Sequence, residues 1–389
     1  MAKFIFIGNY PRDKQESMER FAQMLHHGFQ EAGHASEIWR PVVFFGTLFK
    51  STTSGLGKWM GYLDKWILFC FLLQWRVSQI MAKDKEVRFH ICDHSNAPYL
   101  QYLPSSKTSI TCHDVIAIRA AKGYPDTYVT ASGFGKILQN WILKHLSSAV
   151  SLACVSNLTL SQLKDLSVGA KPEQKDWKVI YNAFNADFEL IPEKKAIETL
   201  KNKNLPLDAP FILHVGSALP RKNRKLLLDM VDKLGDKWEG NICYAGKPLD
   251  PSLVAHVQRL GLEKRVFSIV NPNHATLEAL YNTCQAFIFP SYSEGFGWPV
   301  IEAQACGTPV IASNTAPMPE VSGGAALYCD PNKPEEFAAA LLSLNDSIIQ
   351  TDLIERGLAN CSRFSRKQII GSYLELHGIK QKEAQLICS

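Results

Sequence analysis

The sequence predicts an α/β protein made of two doubly wound, Rossmann-like domains. Three observations carry that expectation. Short apolar runs, rich in β-branched and aromatic residues, alternate with helical patterns along the chain. The alternation breaks once, over residues 185–207, and then restarts. The chain has 389 residues, of which 46% are hydrophobic and 20% charged. That is long enough for two domains of ordinary size and apolar enough for each to hold a core.

In the first half, strands are expected at Lys3–Ile7, Ser36–Trp39, Arg88–Cys92, Ser109–Cys112, Val150–Val155 and Lys178–Tyr181. Helices fit Gln15–Glu31, ended by Gly33, then Phe134–Leu146 and Leu158–Leu166. The charged stretch 185–207, with Pro192 and Pro206, is expected to be a linker. Beyond it, strands at Phe211–Val215, Asn241–Ala245, Val266–Val270, Ala286–Phe289 and Pro309–Ala312 alternate with helices at Asn223–Leu234, Ser252–Leu260, Ala275–Asn282 and Pro299–Cys306. The expected domains are 1–184 and 208–362, with a last helix, near Arg366–His377, in the segment 363–389.

Composition excludes several classes. No window reaches the roughly 18 uninterrupted apolar residues of a spanning helix, and the N-terminal residues lack the apolar core of a signal peptide. The ten cysteines include no CxxC pair, which speaks against a zinc ribbon or a disulfide framework and for a reducing, cytoplasmic compartment. The formal net charge of +5 is uneven, about +7 up to residue 183 and −2 beyond it. A basic first half suits an anionic partner such as a lipid head group or a polyphosphate, or is an ordinary basic surface. No cluster is dense enough for nucleic acid. Between Lys58 and Lys85, Trp59, Tyr62, Leu63, Trp66, Ile67, Cys70, Leu73, Val77 and Ile80 fall at helical spacing, with Phe69, Phe71, Trp75 and the basic Lys58, Lys65 and Arg76 around them. This is a helix packed on the core, an interfacial helix on an anionic membrane, or one buried on one side and lipid-touching on the other.

The segment Phe289–Ala312 is the richest in chemistry. A strand ends at Phe289, Gly295 and Gly297 allow tight turns, and Pro299 suits a first helical position. Glu294 is thereby placed in a loop at a strand's carboxyl end, and Glu302 about one turn into the helix. A carboxylate accepts two hydrogen bonds, which matches vicinal hydroxyls of a sugar or ribose. Helix-start amides match phosphate. Together these fit a nucleotide-sugar. Read singly, Glu294 is a solvated loop acid and Glu302 an acid favoured by the helix dipole.

The string EGFGWPVIE is similar to the Glu–x7–Glu motif of the retaining glycosyltransferases of family 4, the glycosyl transferases group 1. HVGSALPRKN (His214–Asn223) resembles that family's diphosphate-binding turn, VIYNAFN (Val179–Asn185) the end of its first domain, TCHD (Thr111–Asp114) its strand-end histidine, and MPEVSGGAALYCDP (Met318–Pro331) its last strand region. The resemblance implies the GT-B fold, two Rossmann-like domains facing a central cleft. It implies that Glu294 binds hydroxyls of the transferred sugar, Glu302 the ribose, and Arg221 and Lys222 the diphosphate, with Gly8, Gly216, Gly295, Phe296 and Gly297 also at the donor. It places His113, as a catalytic residue beside Glu294, near the anomeric centre. Asp93, His94 and Asp114 are candidates for the acceptor or for ordering their loops. Gly8 stands where the family often has a glycine pair, and Ser217 where it often has arginine.

The implied activity is retaining transfer of a hexose from a nucleotide-sugar, GDP-mannose or a UDP-hexose, to a glycan or lipid-linked acceptor in cell-envelope or exopolysaccharide synthesis. No metal or cofactor is expected, the nucleotide-sugar being substrate, and peripheral contact with the inner face of a membrane is expected from the Lys58–Lys85 segment. A soluble small-molecule acceptor and a nucleotide-sugar epimerase of the same fold remain open, the latter acting without an acceptor. A sugar-binding protein without activity would tolerate loss of Arg221 and Lys222.

Overall fold

A computed structural model of the chain describes residues 2–170, 176–184 and 186–379. The chain divides into two units. The first takes Met1–Lys122, Ala131–Asn185 and Arg366–Ser389, and the second Gly123–Thr130 and Ala186–Ser365.

The first unit holds β1 (Lys3–Ile7), α1 (Glu16–Glu31), β2 (Ala35–Trp39), α2 (Gly55–Leu63), α3 (Phe69–Lys83), β3 (Arg88–Ile91), β4 (Thr108–Cys112), α4 (Ile116–Ala121), α5 (Gly133–Leu146), β5 (Ser151–Cys154), α6 (Asn157–Leu166) and β6 (Asp176–Val179). The second holds α7 (Glu193–Leu200), β7 (Phe211–Gly216), α8 (Lys225–Leu234), β8 (Asn241–Gly246), α9 (Pro251–Arg259), β9 (Val266–Val270), α10 (His274–Thr283), β10 (Ala286–Phe289), α11 (Trp298–Ala305), β11 (Val310–Ser313), α12 (Met318–Val321), β12 (Leu327–Cys329), α13 (Pro334–Ser343) and α14 (Ser347–Cys361). The last helix, α15 (Arg366–Leu376), belongs to the first unit.

Each unit has one six-stranded sheet with parallel pairing throughout, in the orders β2-β1-β3-β4-β5-β6 and β12-β11-β10-β7-β8-β9. These are the two expected doubly wound units. Central strands are buried on both faces along the runs FIFI, FILH and AFIF. The strand order reverses between β1 and β3 in the first sheet and between β7 and β10 in the second. Ligands of open α/β sheets bind beyond the carboxyl ends of the strands at such switch points.

Two boundaries differ from expectation. Residues 185–207 were expected as a linker, Asn185 itself lying outside the described residues. Instead α7 forms there and buries Ala196 and Leu200 in a core shared with Leu205, Leu280 and Tyr281 of the second unit. Its charged sequence EKKAIETL hides an apolar pair one turn apart, which is enough to seat one face. Residues 123–130, expected in the first domain, join the second unit, where the Tyr128 ring stacks on Tyr292 at 4.4 Å.

α2 and α3 run on through a π turn at Asp64–Leu68. The stripe at helical spacing is therefore one continuous rod with a wide turn in it. Phe69, Cys70 and Leu73 are buried, while Trp59, Ile67, Phe71 and Trp75 are exposed.

Candidate functional site

The second unit gathers its candidates at the switch point. β7 ends in Gly216, whose register partner is Gly246 at the end of β8. Gly246 has φ +122°, and a Cβ on it would lie 2.6 Å from the Gly216 carbonyl oxygen, so the two backbones meet where no side chain fits. The chain then turns through Pro220–Lys222 to Asn223, at φ 50°. From β10 a second loop returns through Ser291–Gly297. The two loops are zipped: the Tyr292 amide donates to the Arg221 carbonyl at 2.8 Å, and Asn223 Nδ2 donates to the carbonyls of Pro290 (3.2 Å) and Pro331 (2.8 Å).

Zipping brings three of the expected residues together. Lys222 Nζ donates to Glu294 Oε1 at 2.6 Å, and Arg221 Nη1 to Glu294 Oε2 at 2.7 Å and to the Ser293 carbonyl at 2.8 Å. Lys222 Nζ also lies 5.1 Å from the centre of the Phe289 ring. Burial by itself would raise the Glu294 pKa, but the Lys222 and Arg221 charges and the Lys222 hydrogen bond outweigh it and hold the carboxyl below its ordinary value. The result is a buried carboxylate on one loop gripping two neighbouring cations on the other.

Glu302, on α11, is held elsewhere: its Oε2 accepts from Tyr281 Oη of α10 at 3.0 Å, and Glu302 is 7% exposed. Gly297, at φ 108°, enters α11, and a Cβ there would press on Met318. Gly295 and Phe296 are buried. The Phe296 ring sits edge-on to Trp298 and Phe364, with centres 5.9 and 5.7 Å away, and so serves as packing.

The first unit gathers the others at its own switch point. Gly8 follows β1, its amide donating to the Trp39 carbonyl at 2.9 Å. Asp93 follows β3 and is 3% exposed. It accepts from Asn9 Nδ2 (2.5 Å), Ser95 N (3.0 Å) and Ser95 Oγ (2.7 Å), with His94 Nδ1 at 3.2 Å. Burial opposes the charge of Asp93, yet His94, His113 and these donors keep its pKa low. Asp93 thus orders the β1 and β3 loops. Asp114 caps α4 through the Ile116 amide at 3.0 Å. Both carboxylates, considered for the acceptor, are engaged in their own loops.

His113 follows β4 and is 7% exposed, edge-on to Phe21 at 4.6 Å. Its Nε2 lies 2.9 Å from the Cys92 carbonyl, which only accepts, so the proton is assigned to Nε2. Burial lowers its pKa despite Asp93 and that carbonyl. His113 is an imidazole held in a fixed orientation by the Cys92 carbonyl and the Phe21 ring. Beside Gly8 lies a cavity of about 450 Å³ lined by Asn9, Tyr10, Lys14, Arg20 and Arg40 among others.

Sequence reasoning missed Asn9, Asn223, Tyr281 and the Tyr128–Tyr292 stack. Asn223 carried a signal, being a residue that tolerates positive φ next to a helix start. The others are joined across more than 20 residues of sequence. Among the described residues no group of three or more His, Cys, Asp or Glu is placed to hold a metal.

Residues 196–358 match the family model described as "Glycosyl transferases group 1". The O-antigen chain mannosyltransferase B of Escherichia coli is 26% identical over 283 residues, 68% of this chain and 68% of that protein. Among solved structures, sucrose-phosphate synthase of Thermosynechococcus elongatus superposes with a TM-score of 0.72 at 18% identity, covering 97% of this chain and 98% of that one. Anabaena Alr3699/HepE, in complex with UDP and glucose, gives 0.67 at 16% identity, covering 96% and 99%.

Proposed function

Because the chain belongs to the glycosyl transferases group 1 and has the GT-B fold, we propose that it moves a hexose from a nucleotide-sugar to a glycan or lipid-linked acceptor, with retention, in the assembly of an envelope polysaccharide. The observation that carries this reading is the Glu294–Lys222–Arg221 cluster at the β7/β10 switch point. Two cations and a carboxylate on loops at strand ends match the three demands of a nucleotide-sugar: a diphosphate, a growing charge on the leaving group, and sugar hydroxyls. The mannosyl activity in the name of the E. coli relative favours mannose as the hexose and GDP-mannose as the donor. The UDP held by the Anabaena protein supports the nucleoside-diphosphate class.

In this reading Arg221 and Lys222 turn from Glu294 to the incoming diphosphate, and Glu294 exchanges their N–H donors for hydroxyls of the hexose. Glu302, steadied by Tyr281, accepts from the ribose. Gly216, Gly295, Phe296 and Gly297 present backbone to the donor, since the Phe296 ring is spent on packing. The bond from the anomeric carbon to the diphosphate oxygen breaks, and one to the acceptor hydroxyl forms on the same face. The acceptor proton passes to the departing phosphate oxygen, whose charge the two cations stabilise. His113 remains the proposed catalytic imidazole, and the first unit is the proposed holder of the acceptor.

The test begins with thermal unfolding of the purified chain in GDP, UDP, GDP-mannose, UDP-glucose and UDP-N-acetylglucosamine. A ligand of the folded state raises the midpoint. One base is expected to do so, and Lys222→Ala to lose the rise. Glu294→Gln is expected to keep the nucleotide-induced rise and lose transfer by about 10²-fold or more. Wild-type transfer in Glu294→Gln, or no rise with any of the five, overturns the reading. A new nucleotide-sugar formed without acceptor identifies an epimerase instead.

A further inference from the structure

The chemistry above leaves the α2–α3 rod of the first unit unused. Where this rod runs beside α5, they enclose a groove of about 570 Å³. Trp59, Tyr62 and Trp66 line one wall, and Phe134, Ile137 and Trp141 the other. The walls interlock: Trp59 lies 4.8 Å from Phe134, and Trp66 lies 5.1 Å from Trp141. The groove's own Ile137 is 68% exposed and Ile67 51%, and at successive i, i+4 steps from Ile67 along the rod Phe71 is 71% and Trp75 60% exposed. Single exposed apolar residues are ordinary, but a contiguous set of this size marks a docking surface. Its lining offers few polar groups to hold the hydroxyls of a sugar or the phosphates of a nucleotide.

Charge chooses the occupant. From residue 41 to 83 the chain carries Lys50, Lys58, Lys65, Arg76 and Lys83 against one acid, Asp64. Asp64 is fully buried and accepts from Tyr10 and from the backbone of Phe44, Phe45 and Gly46. From 127 to 164 it carries Lys136, Lys144 and Lys164 against none. Lys65 is paired with Asp13, but Lys50, Lys58, Lys83, Lys136 and Lys144 are exposed. A second copy of the chain on a two-fold axis would set these cations against each other. Anionic lipid meets both features, its head groups the lysines and its chains the aromatics. No helix among the described residues is long and apolar enough to cross a membrane, which leaves contact at the surface.

We propose that the first unit docks on an anionic bilayer through this face, with lipid hydrocarbon seated in the groove between α2 and α5 and head groups on Lys58, Lys136 and Lys144. The inference is independent of which sugar the second unit binds.

Sedimentation with large vesicles tests it. The wild-type chain is expected to pellet with vesicles of phosphatidylglycerol and phosphatidylcholine, not with phosphatidylcholine alone, and to be released at high salt. Acyl chains brominated near the head group should quench tryptophan fluorescence. Ile137→Glu and Phe71→Glu should each weaken binding about tenfold or more, with the unfolding midpoint and its nucleotide-induced rise unchanged. A chain that stays in the supernatant with anionic vesicles overturns the proposal. So does wild-type binding in Ile137→Glu, sedimentation without quenching, or a dimer in light scattering that Ile137→Glu dissolves. Loss of the nucleotide-induced rise in the wild type would count against the transferase reading alone.

Discussion

Asp64 occupies the π turn between α2 and α3 with no exposed surface, and four groups donate to it: Tyr10 Oη at 2.6 Å and the amides of Phe44, Phe45 and Gly46 at 3.1, 2.9 and 2.9 Å. A buried carboxylate survives where hydrogen bonds replace water. Here they also fix a loop, since three successive amides converge on one side chain. Burial and then the Asp64 hydrogen bond push the Tyr10 phenol pKa well up, so it stays a donor. Asp64→Ala would strand those donors and is expected to cost on the order of 3 kcal/mol in urea unfolding. A loss under about 1 kcal/mol would show that water takes the carboxylate's place. None of this is legible in DKWIL, where the aspartate looks like a helix-surface acid. Glu294 shows the converse. Its neighbours Gly295, Gly297 and Pro299 announce a loop entering a helix, so its position can be read. Its partners Arg221 and Lys222 lie more than 70 residues away and join it only through the β7–β10 adjacency.

α15 closes the first sheet. Its Tyr373 hydroxyl lies 3.0 Å from Thr111 Oγ1, and the Leu376 carbonyl accepts from Ser151 Oγ at 3.2 Å. Just beyond it, His377 stands edge-on to Phe4 at 5.2 Å. Packing on α1 is closest at Gly28, where an added Cβ would press into the Ile370 side chain. Gly28→Val should therefore destabilise the first unit by about 1–3 kcal/mol, read in thermal unfolding, because the two helices must move apart. An unchanged midpoint would mean that Ile370 repacks without strain. Helices and strands with clear periods are the legible elements: β1, β9 and β10 fall on their expected residues, and α1, α5 and α6 within a residue or two. α7 is missed because its charges dominate the pattern, and the π turn because one added residue per turn barely disturbs a stripe that is apolar on several sides.

For the whole molecule, buried imidazoles set the acid limit. Burial lowers His90 well below its ordinary value, and lowers His214 and His377 to about 3. Unfolded, each takes up a proton near pH 6.5. Between that value and about 3 the unfolded chain binds more protons than the folded one, so stability falls as pH falls. The loss is on the order of 2 kcal/mol per histidine by pH 5. Urea midpoints at pH 7.5 and 5 check this, and equal midpoints would refute it. At this scale the two-sheet architecture is legible because each sheet imposes its own run of alternating elements. The division of the chain between units is not. Residues 123–130 leave one unit for the other, where Tyr128 stacks on Tyr292, a partner 164 residues away that no local pattern announces.

That the last helix completes the first sheet has a consequence for how the protein is made. Everything the second unit needs has left the ribosome once residue 365 emerges. The first unit, though begun earlier, waits for α15. Residues 186–365, 180 in all, separate its two later segments, a delay of roughly 10–40 s at translation speeds of about 5–20 residues per second. During that interval Phe4, Phe29 and His90 lack the cover of His377 and Tyr373, and exposed apolar surface of this kind is prone to aggregate. The later-translated unit finishes first, and a stop codon anywhere before α15 would leave the earlier one unfinished.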